Sequence, residues 1–147
     1  MKGFSASNSQ QITIQNLQEF HQWVRHFKSH LKGNEILLLS GELGAGKTEF
    51  VKALAALYGI SNVTSPTFAL HRSLQSGKQI IDHFDLYRLE NADELESTGF
   101  WEILQSPSLV VVEWPDQVAA DYWPRDRTLI RIEIKKLSDS ARQVCWR

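Results

Sequence analysis

Eight consecutive residues, Gly41-Glu42-Leu43-Gly44-Ala45-Gly46-Lys47-Thr48, set three glycines, a lysine and a hydroxyl in the spacing G-x-x-x-x-G-K-[ST]. The glycines let the backbone curl so that successive N–H groups face a single anion, a path that Cβ atoms would obstruct. Lys47 adds a cation suited to β- and γ-phosphates, and the Thr48 hydroxyl is a suitable magnesium ligand. The pattern has this meaning only between a strand and a helix, where the helix N-terminus adds partial positive charge at the same point. It stands in that context here. The chemistry indicated is binding of a nucleoside triphosphate with Mg2+.

Such a site needs a protein carboxylate near the metal. Glu113 directly follows the apolar run Leu109-Val110-Val111-Val112, so it is expected at a strand's carboxyl end, where open α/β sheets collect their ligands. Asp85 ends a second apolar run and is a candidate for holding a magnesium-bound water or for the γ-phosphate side. Asp82 and His83, inside that run, read as strand residues with hydrogen-bonded structural roles. Thr64-Ser65-Pro66-Thr67 is a hydroxyl-rich loop; nucleotide switches use such loops to sense the γ-phosphate, and ordinary turns use the same residues. Trp114 fits either a place over the nucleotide or a packed core position.

The elements that must position these groups follow from patterning. Residues 1–11 are polar and small and read as a loose leader, and residues 11–14 suit a short edge strand. Asn16 is an N-cap for a helix bearing Leu17, Phe20, Trp23, Val24, Phe27 and Leu31, with Gly33 as its stop. The aromatic stripe on that helix reads as a packed face. Residues 35–40 form a strand buried on both faces, and residues 48–58 a helix stopped by Gly59. Residues 68–74 and 79–85, joined by a short Gly-containing connection, make an antiparallel hairpin, because a parallel crossover needs about a dozen residues or more. Asn91 and Glu94 form a capping box for a helix running through Leu104. Residues 109–112 are a second buried strand, 116–122 a short helix, and 128–135 a strand exposed on one face. The fold class expected is α/β: one P-loop NTPase-type three-layer domain over residues 1–147, with a mixed parallel and antiparallel sheet.

Composition bounds the function. The chain has 147 residues, 22% charged, with a formal net charge of -1, so it lacks the basic bias that would grip a phosphate backbone alone. Cys145 is the only cysteine and no Cys/His cluster has zinc spacing, which points to a reducing compartment. No apolar run approaches the ~20 residues of a membrane span. A cytoplasmic location without membrane contact is expected.

Three classes of P-loop protein compete. A GTPase switch is disfavoured because no N-K-x-D segment occurs and no D-x-x-G follows the second strand; ATP is the expected nucleotide. A small kinase transferring the γ-phosphate to a metabolite needs an acceptor pocket and a lid, for which only a short hairpin and Arg72, Arg88, Arg125 and Arg127 are available. The third class is an ATPase subunit acting through partners.

Four segments occur together in one order: the turn 41–48, Val63-Thr64-Ser65-Pro66-Thr67-Phe68, His83-Phe84-Asp85-Leu86-Tyr87-Arg88-Leu89, and Val112-Glu113-Trp114-Pro115. In this set the chain resembles the TsaE (YjeE) family, bacterial ATPases required for threonylcarbamoyl-adenosine formation in tRNA, over about residues 35–134. The resemblance implies an ATPase subunit that associates with a threonylcarbamoyl transferase and its scaffold paralogue, and meets tRNA through that complex. It implies that Lys47 binds phosphate and that Thr48 and Glu113 bind magnesium. Asp85 would assist near the metal or attacking water, residues 65–67 including Thr67 would form a switch-like loop, and Trp114 would lie close to the nucleotide. Glu49 stands where family members often have a second hydroxyl. The adenine contacts, near residues 11–17, and the segment from Leu137 onward are not assigned by the resemblance.

Overall fold

The structure, a computed structural model, describes residues 8–61, 63 and 70–147. The first strand, β1 (Gln10–Ile14), leads into α1 (Leu17–Lys28), whose N-cap Asn16 accepts a hydrogen bond from the Glu19 amide at 2.9 Å. Phe20, Trp23, Val24 and Phe27 are its buried face. The helix stops at Ser29, earlier than expected. Gly33, at φ 101°, instead opens a turn in which the amides of Lys32, Gly33 and Asn34 all donate to the Glu35 carboxylate at 2.7–3.1 Å. Glu35 is only 3% exposed, and those three donors replace the water it gives up.

Next come β2 (Ile36–Ser40), the glycine turn and α2 (Lys47–Leu57). The hairpin β3 (His71–Ser76) and β4 (Gln79–Asp85) is antiparallel as expected, with Gly77 at φ 56° in a tighter turn than the one anticipated. The helix expected from Asn91 through Leu104 is broken. Gly99 at φ 78° divides it into α3 (Ala92–Ser97) and α4 (Phe100–Leu104). The Ser97 and Thr98 hydroxyls donate to the carbonyls of Glu94 and Leu95, which helps end α3 there. Asn91 caps α3 as expected by accepting from the Glu94 amide, while the Glu94 carboxylate accepts from the Glu90 amide rather than from that of Asn91, so the capping box is formed on one side only.

β5 (Leu109–Glu113) includes Glu113 as its last residue. Two 3-10 turns, Pro115–Gln117 and Ala120–Tyr122, stand where one short helix was expected. β6 (Leu129–Lys136) is followed by β7 (Arg142–Trp146), a strand not foreseen from the sequence. Only Val144 and Trp146 are buried in β7, a repeat too short to be read as a strand period.

All seven strands join one mixed sheet in the order β1-β7-β6-β2-β5-β4-β3. The β6–β2–β5–β4 centre is parallel, and the β7–β6, β1–β7 and β3–β4 pairs are antiparallel. The chain therefore has the α/β fold with a mixed sheet that patterning predicted. One face packs on α1 and α2, where Trp23 lies 5.2 Å from Trp146 and 5.8 Å from Phe50 between ring centroids. The aromatic stripe of α1 is thus core. The other face packs on α3, α4 and the 3-10 turns around Phe84, Phe100 and Val112.

Candidate functional site

Parallel pairing brings the carboxyl ends of β2, β5 and β4 to one edge. Leu39 is in register with Glu113, and Glu113 with Asp85, so the residues that begin the glycine turn stand beside both candidate carboxylates. Trp114 donates its amide to the Leu39 carbonyl and Leu86 donates to the Glu113 carbonyl, which ties the three strand ends together.

The glycine turn is shaped by its residues. A Cβ at Gly41 would sit 2.5 Å from the Ile134 carbonyl oxygen, so β6 backbone occupies the space any other residue needs. Gly46, at φ 120°, begins α2 without a side-chain cap, leaving the first amides of that helix facing the turn. From outside, the Arg142 guanidinium donates to the Ala45 carbonyl at 2.8 Å and to the Gly44 carbonyl at 3.4 Å. Sequence reasoning missed Arg142 because the strand carrying it was itself unread.

Lys47 is buried at 5% exposure. Its Nζ donates to the Gly41 carbonyl and, at 3.1 Å, to the Glu42 carbonyl, and it stands 4.1 Å from the centroid of the Trp114 ring. Burial lowers its pKa, opposed by the charges of Glu113, Asp85 and Glu42. Asp85 is displaced upward, by burial first and then by the Glu113 charge, against a Tyr87 amide bond and the charges of His83 and Lys47. That amide bond, 3.1 Å to Asp85 Oδ1, turns the chain out of β4. Trp114 is held at φ 58°, the only non-glycine described residue with positive φ, and its ring lies 4.9 Å from that of Tyr87.

Glu113 does not end in solvent as a strand-end charge would. It is 2% exposed and one carboxylate oxygen lies 2.7 Å from His83 Nε2, on a histidine with no exposure. His83 therefore has the hydrogen-bonded role expected of it, but toward a site residue. Alternation along β4 places 81, 83 and 85 on one face, and that signal alone connects His83 to Asp85. Asp82 points to the other face and bonds His71 at 2.7 Å.

Thr48 follows Lys47 in the first turn of α2. Leu43 is 64% exposed at the rim and Glu42 is exposed. The loop 64–67, and with it Thr67, lies outside the described residues. Among the described residues no group of three His, Cys, Asp or Glu could hold a metal alone. Thr48 and Glu113 offer hard oxygen donors, which suit magnesium shared with phosphate oxygens. A cavity of about 370 Å3 adjoins the turn, lined by Leu17, Phe20, Ala45, Glu49, Asp139 and Arg142 among others. The arrangement is a cradle of amides with a parked buried cation, two neighbouring carboxylates and an aromatic cover.

Residues 14–144 match the family described as threonylcarbamoyl adenosine biosynthesis protein TsaE. The chain is 33% identical over 132 residues to a tRNA threonylcarbamoyladenosine biosynthesis protein TsaE of Rickettsia prowazekii, covering 88% of this chain and 89% of that one. Identity to the protein of the same name from Aquifex aeolicus is 33% over 138 residues, covering 91% and 92%. To that from Bacillus subtilis it is 36% over 116 residues, covering 78% and 70%. The crystal structure of Bacillus subtilis YdiB superposes with a TM-score of 0.71 at 26% identity, covering 95% of this chain and 84% of that chain.

Proposed function

The chain belongs to the TsaE family, and from that premise we propose that it is an ATP-binding, slowly ATP-hydrolysing subunit required for threonylcarbamoyl modification of adenosine in tRNA. It acts in the cytoplasm through a threonylcarbamoyl transferase and that enzyme's scaffold paralogue, and it reaches tRNA through their complex.

The observation that supports the nucleotide reading is the state of Lys47. A buried ammonium held by the Gly41 and Glu42 carbonyls, over Trp114 and near two carboxylates, is a cation already desolvated and ready to exchange loop carbonyls for phosphate oxygens. In this reading the turn 41–48 wraps the phosphates with backbone amides and Lys47 takes the β- and γ-oxygens. Thr48 and Glu113 hold Mg2+, with His83 fixing the Glu113 carboxylate. Magnesium, when bound, neutralises charge on the phosphate oxygens. Asp85 orients the water that attacks the γ-phosphate, Thr67 belongs to the loop that senses it, and Trp114 covers the nucleotide. The base lies toward the cavity at Leu17 and Phe20.

Partner dependence has its own support. Arg142 is committed to the Ala45 and Gly44 carbonyls, and Arg127 to those of Asn34, Leu104 and Ser108. Supply of further positive charge by a partner is then the economical way to complete the transition-state cradle. The direct test of the nucleotide site is calorimetric titration of ATP and magnesium into the chain and into Lys47→Ala. Tight binding should be lost in the variant; retained affinity would overturn the assignment.

A further inference from the structure

The helical layer away from α1 and α2 has an open groove of about 450 Å3 between α3, α4 and the second 3-10 turn. Leu89, Leu95, Trp101 and Tyr122 supply its apolar lining, and Glu90 and Glu96 also line it. Tyr122 is 63% exposed, and its ring lies 5.3 Å from that of Trp101, which is half-buried against the core at Phe100. A surface tyrosine backed by a tryptophan anchored in the core is the kind of aromatic that anchors protein interfaces.

The charged residues of the lining are one-sided, Glu90 and Glu96 without a cation, and the exposed Arg88 and Arg125 stand at the two ends of the segment that builds it. Residues 89–124 contain eight carboxylates and no Lys, Arg or His, although the whole chain has 16 Lys and Arg against 17 Asp and Glu. Glu90, Asp93, Glu96, Glu102, Asp116 and Asp121 are exposed, and none of them forms a salt bridge among the described residues. Their field repels phosphate backbones and anionic lipid headgroups and attracts cationic side chains.

We propose that this groove docks a short basic segment of a partner polypeptide, with apolar side chains against Leu89, Leu95, Trp101 and Tyr122 and with lysine or arginine against Glu90 and Glu96. The site is distinct from the nucleotide cradle but joined to it through the chain. Glu90 lies five residues beyond Asp85, and Tyr87, between them, contacts the Trp114 ring. The proposal does not rest on the nucleotide reading, since docking requires no ATP.

The test is fluorescence anisotropy of a labelled amphipathic leucine–lysine peptide titrated with the full chain, without nucleotide, beside a leucine–glutamate peptide of the same pattern. The lysine peptide should bind and the glutamate peptide should not, with affinity falling as salt shortens the Debye length below about 10 Å. Glu90→Lys with Glu96→Lys should weaken binding about 10-fold or more, and Tyr122→Ser about 5-fold or more. Glu96→Lys alone should weaken it more than Glu133→Lys, which makes the same change in net charge on β6, outside the groove's lining; the milder Glu90→Gln with Glu96→Gln covers any loss of folding seen in melts. Equal binding of both peptides, or equal loss from Glu96→Lys and Glu133→Lys, would overturn the proposal. Sedimentation should show a monomer. A rise in mass with concentration that Tyr122→Ser abolishes would assign the groove to a second copy of the chain and overturn it as well.

Discussion

His83 Nε2 and a carboxylate oxygen of Glu113 lie 2.7 Å apart in a place neither shares with solvent. The bond fixes the one carboxylate that β5 delivers to the glycine turn. His83→Leu leaves that carboxylate buried without its partner, an arrangement that costs about 1–3 kcal/mol and more for a charged group. A lowered urea midpoint, together with a fall in magnesium-dependent ATP hydrolysis, is the expected result. Full activity in a stably folded His83→Leu would remove the positioning role.

Arg142 grips the turn from outside through the carbonyls of Ala45 and Gly44. Arg142→Ala should raise the Kd for ATP about 10-fold, corresponding to roughly 1.4 kcal/mol, while leaving the adjacent strand pairing intact by circular dichroism. Lysine at 142 has no planar fork and should restore only part of the affinity.

Lys47 over Trp114 gives an optical readout. If nucleotide draws the ammonium from its place 4.1 Å over the indole, tryptophan emission should change on ATP addition. Trp114→Phe should abolish most of that change although four other tryptophans remain. A signal that survives in Trp114→Phe would place the nucleotide elsewhere.

Gly41→Ala puts a methyl group 2.5 Å from the Ile134 carbonyl oxygen at a φ of 154°. Both backbones must give way, at a cost of about 1–3 kcal/mol. Thermal denaturation measures it, and Gly44→Ala serves as the comparison that carries the strain of a positive φ, 80°, without a clash, since a Cβ there meets nothing within 4 Å.

Asp82, whose pKa burial would raise, is brought below its ordinary value because hydrogen bonds from His71, Ser108 and Ser73 outweigh that burial. A carboxylate with a depressed folded pKa stabilises the fold above its unfolded value of about 3.9, and that stability is lost as pH falls through the lower folded value. Asp82→Asn should therefore be less stable near neutral pH and lose less stability on acidification. Parallel pH–stability curves for the two proteins would contradict this.

The site was legible where one local pattern carries both element and chemistry. The turn 41–48 declares its backbone through glycine and its proposed ligand through Lys47, and the Leu109–Val112 run announces a buried strand that must deliver Glu113. The same two runs marked β2 and β5 as strands buried on both faces, which they are. What the sequence hid depends on distant pairing. Arg142 sits on β7, whose short alternation gives no strand signal until β6 and β1 flank it, and His83 acquires its meaning only when β4 and β5 align. The break between α3 and α4 turned on Gly99 adopting positive φ, which a glycine inside a helical pattern permits but does not require.

The central claim is tested most directly by ATP hydrolysis of the purified chain alone and then with the threonylcarbamoyl transferase, its scaffold paralogue and tRNA. Slow turnover that rises markedly with the partners, releasing free phosphate and no phosphorylated metabolite, is the predicted result. Turnover unaffected by the partners, with the γ-phosphate appearing on a small molecule, would contradict the account and return the chain to the kinases.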